Sequence, residues 1–332
     1  MDNNAKLRPL YLAKILYERT DEDHYLTTMQ LAQILEEEYG IPAHRQTIKT
    51  DIELLQQFGM DIREVKSTQN RYNLISRQFE IAELKLLIDA VQSSKFISKE
   101  RSEQMVSKIV TLAGQHKAEE LKRNASVEGR AKSENRQDLL IVDAINEAIN
   151  ARKKIAFQYF AYNIRKQKKL RHDGERYIFS PYRLIWNGDY YYVLGYSDKH
   201  QAIGSFRVDR ISARPDILSE DAVPVLEDFD VDDFLATTFR MYGSECQEVE
   251  LICDNSVIDA IIDRFGTDVT IYAYETIYAY DMSTFRVIVR VAVSHIFFSW
   301  IFGFGRKVRI KGPKDVKRAY VETLHIASDN LL

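Results

Sequence analysis

Residues 179–211 read FSPYRLIWNGDYYYVLGYSDKHQAIGSFRVDRI. The stretch opens as an apolar strand bounded by Pro181 and turns at Asn187-Gly188-Asp189. It returns through Tyr190 to Tyr196 and continues in a third strand from Ala202 to Ile211. Asn-Gly between two β-rich runs is the strongest short-range hairpin signal, because the favoured two-residue turns need positive φ. The result is a small, tyrosine-rich sheet that carries Arg183, Arg207 and Arg210. A guanidinium offers a planar fork of donors that matches phosphate, and its plane stacks on aromatic rings. The pattern points to recognition of planar or phosphorylated anions rather than to bond-breaking.

The rest of the chain sets bounds on that reading. Its 332 residues suffice for two or three domains, each with its own core. A hydrophobic content of 45% and a charged content of 29% are ordinary for a globular protein. The formal net charge is -3, so any nucleic-acid contact must come from a locally basic surface. Cys246 and Cys253 cannot make a disulfide framework, and Cys253, inside the apolar run VELIC, is expected to be a buried thiol. The opening MDNNAKLRPLYLAKILYER lacks an uninterrupted apolar core of signal-peptide type. The most apolar later run, Val291 to Phe304, is broken by Ser294, His295 and Ser299 and is shorter than the ~20 residues of a membrane span. These features lead to the expectation of a soluble, cytoplasmic protein without membrane contact.

Working outward from the sheet, apolar residues at helical spacing predict a helix over 6–19. Thr27 and Gln30 fit a capping box that opens a second helix ending at Gly40. After Ile41-Pro42, a third helix runs from about His44 to Phe58 with Ile48, Ile52 and Leu55 inward. Residues 60–75 alternate, turn at Ser67-Thr68-Gln69-Asn70, and alternate again. Three helices, a short break before the third, and a following hairpin predict a winged helix-turn-helix over 1–76. Residues 77–137 read as a helical connector ending in a polar linker from 114 to 138, and 138–220 as a β-rich domain entered by a helix at 138–152. An acidic turn spans Leu226 to Asp233. Residues 245–328 then read as a small α+β domain: strand, helix, two strands, helix, strand and a final helix from Pro313.

Opposite the core stripe of the third helix lie Arg45, Gln46, Thr47, Lys49 and Thr50. The early part of a recognition helix reaches base edges: Arg reads guanine, Gln reads adenine, and Thr or Lys holds phosphate. Lys66 and Arg71, with Arg63, are positioned in the hairpin to touch the DNA backbone. Asp51 and Glu53 are expected to face away from DNA or brace the helices. In FRVDRI, strand alternation places Ser205, Arg207 and Asp209 on one face and Phe206, Val208 and Arg210 on the other. Arg207 and Ser205 are therefore read as ligand-facing, with Arg183 and Tyr192 on neighbouring strands. Arg210 is expected to pair with an acid or to act from the strand end. The alternative for this group is bracing of the barrel or of a dimer contact. The basic run Arg165, Lys166, Lys168, Lys169, Arg171 and His172 is either a solvated hairpin arm or an extension of the positive field toward nucleic acid.

Signals for catalysis are weak. The seven histidines are scattered, with no HExxH pair, no Cys/His metal spacing and no G-x-S-x-G elbow. Gly303-Phe304-Gly305-Arg306 is too short for a phosphate loop and is better explained by a helix end before a strand. The expectation is a non-enzyme without metal or cofactor.

SPYRLIWNGDYYYVLGY followed by FRVDRI is similar to the core of a WYL domain, the sensor module of many bacterial transcriptional regulators. The Trp-Tyr-Leu triplet of that family falls on Tyr191, Tyr192 and Val193. AHRQTIKTDIELLQQFG resembles the recognition helix of such regulators, although family members often carry arginine where this chain has Gln46 and Thr50. The final α+β region resembles the extension that often follows a WYL domain. The resemblance implies a multidomain α+β protein with a winged helix-turn-helix, a helical connector, a small SH3/Sm-like β-barrel and a C-terminal α+β domain. It implies a sequence-specific transcriptional regulator that binds a double-stranded DNA operator, as a homodimer, and senses an anionic effector such as a nucleotide or single-stranded nucleic acid. An alternative is a non-catalytic single-strand-binding accessory factor, for example in phage defence. A nucleotide-acting enzyme targeted by a winged helix is a third, disfavoured by the missing motifs.

Overall fold

The helical periodicity of the first third resolves into three helices around one core in a computed structural model. The described residues are 3–66, 68–123, 132–133, 137–225, 229–238, 246–276 and 279–329. The helices are α1 (Asn3–Arg19), α2 (Thr28–Tyr39) and α3 (Arg45–Gln57). Strands β1 (Leu26–Thr27), β2 (Ile62–Val65) and β3 (Arg71–Leu74) form an antiparallel sheet in the order β1-β3-β2. Leu12, Ile15, Leu16, Leu31, Leu35, Ile48 and Ile52 are buried with Tyr72 and Leu74 in one cluster. Thr27 and Gln30 make both bonds of the predicted capping box. Gly40 ends α2 in the left-handed region, at φ 65°, where a Cβ would be strained. Ser67, in the expected hairpin turn, lies outside the described residues.

α3 is fixed in rotation by a buried charge pair. Nε of Arg8 donates to Oδ2 of Asp51 at 2.5 Å, and the two side chains are 16% and 6% exposed. Removing one partner leaves the other charge unpaired in a poorly solvated site. Asp51→Ala is expected to cost about 3 kcal/mol in denaturant unfolding, and the double change Arg8→Met/Asp51→Leu to recover most of it.

Three further helices follow: α4 (Ile81–Ser93), α5 (Lys99–Thr111), capped by Ser98, and α6 (Gln115–Arg123). They share a core of Leu84, Ile88, Val110, Ala113 and Leu121. The expected polar linker over 114–138 is corrected here, because its first part is helix α6. The single i,i+3 pair of Ala118 and Leu121 is too sparse to stand out among charges, yet it suffices to bury Leu121. Lys132, in the same stretch, donates to the carbonyls of Val91 and Ser94 and to Ser102 Oγ at 2.7 Å, and burial lowers its pKa. Residues 124–131 and 134–136 of the predicted linker lie outside the described residues. The chain divides into two compact units, Met1–Asp138 and Leu139–Leu332.

In the second unit, α7 (Asp138–Ala151) buries Ile141, Ala144, Ile145 and Ala148. Then come β4 (Lys153–Phe157), a small hairpin of β5 (Phe160–Tyr162) and β6 (Lys168–Leu170), β7 (Tyr177–Asn187), β8 (Tyr190–Ser197), β9 (Ala202–Arg207) and β10 (Asp216–Asp221). The main sheet runs β10-β4-β7-β8-β9. Among the described residues no ladder joins the edge strands β9 and β10, so the expected closed barrel is corrected to an open, bent sheet. The reason lies in the third strand, which stops at Arg207 rather than reaching Ile211. Val208–Arg210 form a 3-10 turn, and Ile211 bridges Tyr159 instead of extending β9. Gly195 sits where a Cβ would lie 2.1 Å from the Ser180 carbonyl oxygen, beside the register shift between Pro181 and Arg183 that bends β7.

The predicted acidic turn at 226–233 is also corrected. Residues 226–228 are outside the described set, and Val231 onward belongs to α8 (Val231–Thr237), N-capped by Asp230. β11 (Cys246–Asp254), α9 (Ile258–Phe265), β12 (Ile271–Thr276), β13 (Ala279–Ala292), α10 (His295–Gly303), β14 (Val308–Gly312) and α11 (Lys314–Asp329) complete the chain. Their sheet order is β12-β13-β11-β14. Val249, Leu251, Val287, Val289, Phe297 and Ile301 anchor this core. Cys253 is buried in it, and burial pushes its thiol up to about 12. No helix among the described residues is long and apolar enough to cross a membrane.

Candidate functional site

Two surfaces gather the residues singled out in the sequence. On α3, Arg45, Gln46 and Thr50 are exposed, and Thr47 and Lys49 are half-buried. Ile48, Asp51, Ile52 and Leu55 are buried on the opposite side. Thr50 Oγ1 donates to the Gln46 carbonyl at 3.1 Å, and Lys49 stands 3.9 Å from Glu53 one turn on. Such an exposed pair contributes roughly 0.3–0.5 kcal/mol and is readily exchanged for a phosphate. In the hairpin, Lys66 and Arg71 are exposed, and the Arg71 guanidinium lies 4.3 Å from the centroid of the Tyr25 ring.

On the second unit, register decides which side chains share a face. Tyr192 pairs with Arg207 and with Ile185, while Leu194 pairs with Ser205 and with Arg183. Directly paired residues project to the same side, so Arg183, Tyr192, Ser205 and Arg207 do lie on one face. Phe206, between them, points to the other side. There its ring meets Phe157, Tyr159, Tyr177 and Phe179 at 5.1–5.3 Å.

Arg207 is the most constrained member. Its Nε donates to Asp209 Oδ1 at 3.0 Å and its Nη2 to Oδ2 at 2.7 Å, while the guanidinium lies 3.4 Å from the centroid of the Tyr190 ring. Burial alone would lower its pKa. The bonded Asp209 carboxylate, with Tyr190 and Tyr192, outweighs that and holds the group charged above its ordinary value. The Arg207 N–H donates to the hydroxyl of Tyr159, whose own pKa burial raises to about 12. Two of the five guanidinium N–H groups are taken by Asp209, which leaves donors for a ligand on a fork already oriented.

Arg210 does not join this face. The acid pairing expected for it falls instead to Arg207, because the 3-10 turn folds Asp209 back onto that strand end. The Arg210 guanidinium lies 4.7 Å from the Tyr162 ring and 5.6 Å from the Phe160 ring, both on the small hairpin. Tyr190 was missed as a partner of Arg207, although period-two alternation from Tyr192 identifies its face.

α8 was missed too, and it covers part of this same face. Phe229, just before it, and its Val231, Phe234 and Leu235 join Tyr192 and Ile203 in packing against Ile185 and Leu194. Arg183 Nη1 donates to Asp232 Oδ1 at 3.1 Å, and Asp233 engages Arg290. An incoming anion at Arg183 competes with a carboxylate for the guanidinium. Both partners are well exposed, so Asp232→Ala is expected to change stability by under about 0.5 kcal/mol. The same change is expected to tighten anion binding a few-fold, read by titration with a labelled oligonucleotide.

Comparison with known proteins agrees with this geometry. A family model described as WYL domain matches residues 141–214, from α7 through the 3-10 turn that carries Asp209. Comparison with curated protein sequences finds no match. Among solved structures, the proteasome accessory factor B/C (PafBC) of Arthrobacter aurescens is 18% identical, with a TM-score of 0.29 over 98% of this chain and 47% of its own. The chain thus spans about half the length of that protein. A CRISPR Cas-related protein is 14% identical, with a TM-score of 0.35 over 99% of this chain and 84% of its own. The domain match, rather than these distant likenesses, identifies residues 141–214 of this chain as a WYL domain.

Proposed function

We propose that this protein is a sequence-specific DNA-binding transcriptional regulator whose WYL domain senses an anionic effector, a nucleotide or a short nucleic-acid strand. The N-terminal three helices and hairpin are read as a winged helix-turn-helix. α3 is its recognition helix, β2 and β3 its wing. The observation that carries the reading is the setting of Arg207. A charged, oriented guanidinium on a tyrosine ring, facing the same side as Arg183 and Ser205, suits a planar or phosphorylated anion and no reaction. The chain is read as non-catalytic. A homodimer follows from the operator side of the proposal, since two recognition helices on a two-fold axis match a palindrome. Regulation requires the effector to prefer one arrangement of the two heads, because only differential affinity shifts a population.

The effector half is tested by thermal unfolding of the full chain in the presence of nucleotides and short single-stranded oligonucleotides. At least one is expected to raise the Tm at concentrations well above its Kd, and to change affinity for the operator. A panel that leaves both quantities unchanged would overturn the sensor assignment.

A further inference from the structure

The β5–β6 hairpin carries a positive charge that the proposed sensor face does not use. Arg165, Lys166, Lys168, Lys169 and Arg171 are all exposed, and none has an acidic partner among the described residues. No carboxylate occurs from Ala161 to His172, in a chain whose net charge is -3. The charge is held on a built support. At the tip, Asn163 Oδ1 accepts the N–H groups of Arg165 and Gln167, both at 2.9 Å, and the Asn163 N–H donates to the Gln167 carbonyl at 3.0 Å. Lys166 adopts φ 60° to close this turn. At the base, Arg210 stacks on Tyr162, and Lys168 lies 4.8 Å from the Phe160 ring. Ile164, at the outermost point, is fully exposed at 101%.

A fixed two-stranded ribbon with cations along its turn and its β6 strand and an apolar tip projects far more charge than its anchoring through Phe160 needs. From this we infer that the β5–β6 arm is a second nucleic-acid contact, one that enters a groove of duplex DNA and holds its phosphates without reading sequence. A two-stranded ribbon fits the ~12 Å major groove. Duplex is favoured over single strand because the arm offers no succession of stacking platforms: Phe160 is 4% exposed, and Tyr162, its one exposed ring, already has the Arg210 guanidinium 4.7 Å from its centroid. The inference rests on duplex DNA being a partner of this chain, but not on α3 being the element that reads it.

The test is binding of the full chain to a labelled random-sequence 20-bp duplex over a series of salt concentrations, beside the variant Arg165→Gln/Lys166→Asn/Lys169→Gln. Asn tolerates the left-handed backbone at 166, and an unchanged Tm confirms that the variant is folded. Each lost phosphate contact lowers the slope of log K against log salt by about 0.9, so the variant is expected to lose roughly two to three in slope and on the order of tenfold or more in affinity. Equal slope and affinity in the two proteins would overturn the inference, as would a loss seen with single strands alone. Arg45→Ala/Lys49→Ala, assayed in parallel on a selected operator, reports on α3 independently. Failure of one reading therefore leaves the other standing.

Discussion

Replacing Arg45 and Lys49 together by alanine is expected to weaken operator binding by roughly 30- to 1,000-fold, with the fold intact. A bidentate base contact is worth about 1–3 kcal/mol and a phosphate contact about one more, and each 1.4 kcal/mol is tenfold. Arg45 is exposed, and Lys49 pairs with Glu53 at 3.9 Å on the outer side of the helix, so neither side chain supports the core of α3. That core is carried by Ile48, Ile52 and Leu55, and its rotation by the Arg8–Asp51 pair. The measurement is titration of a selected duplex at fixed salt, with Tm as the control for folding. The two positions separate further. Lys49→Ala should weaken all duplexes alike and lower the salt slope by about one, whereas Arg45→Ala should relax preference at one base pair. An operator affinity within twofold of the parent protein would remove α3 from the interface.

The second large effect lies at Arg207. Arg207→Ala is expected to abolish the effector response while leaving basal DNA binding in place, because the first unit keeps its own core. The variant also strands Asp209, whose side chain is 8% exposed, without its bidentate partner. An unpaired buried carboxylate costs on the order of 3 kcal/mol, so the single variant should be visibly less stable. Arg207→Ala/Asp209→Ala should regain much of that stability and still fail to respond. Arg207→Lys should respond poorly too, since an ammonium cannot give the paired, planar donors that grip Asp209 and lie on Tyr190. Recovery of both stability and response in the double variant would assign these residues to bracing alone.

Much of the architecture is legible in the sequence because local chemistry and tertiary need coincide there. The Thr27–Gln30 box, Gly40, the Ser98 cap and the Asn187-Gly188 hairpin each name their own boundary. Alternation along β9 places Ser205 and Arg207 on one face, and the register of β7 and β8, which the sequence does not give, brings Arg183 and Tyr192 to it. The strand ends at Arg207. A 3-10 turn at Val208–Arg210 has no strong local signal, so alternation does not foresee that Asp209 pairs with Arg207 and leaves Arg210 to the Tyr162 ring. What matters there is a long-range fact: Ile211 bridges Tyr159. The same limit hides the open edge of the sheet, since closure depends on whether β9 and β10 meet. α8 is masked by its acidic composition. Val231, Phe234 and Leu235 follow the Asp230 cap at helical spacing, but seven residues are too few for periodicity to outweigh four aspartates nearby.

The most direct test of the central claim is selection of binding sites from a random duplex library by the full chain at a stated salt concentration, with and without added nucleotides and short oligonucleotides. The predicted result is an enriched palindromic or directly repeated motif, its half-sites spaced by about one helical turn or a multiple, and lost with Arg45→Ala/Lys49→Ala. Retained DNA indistinguishable from the input, under both conditions, would contradict it.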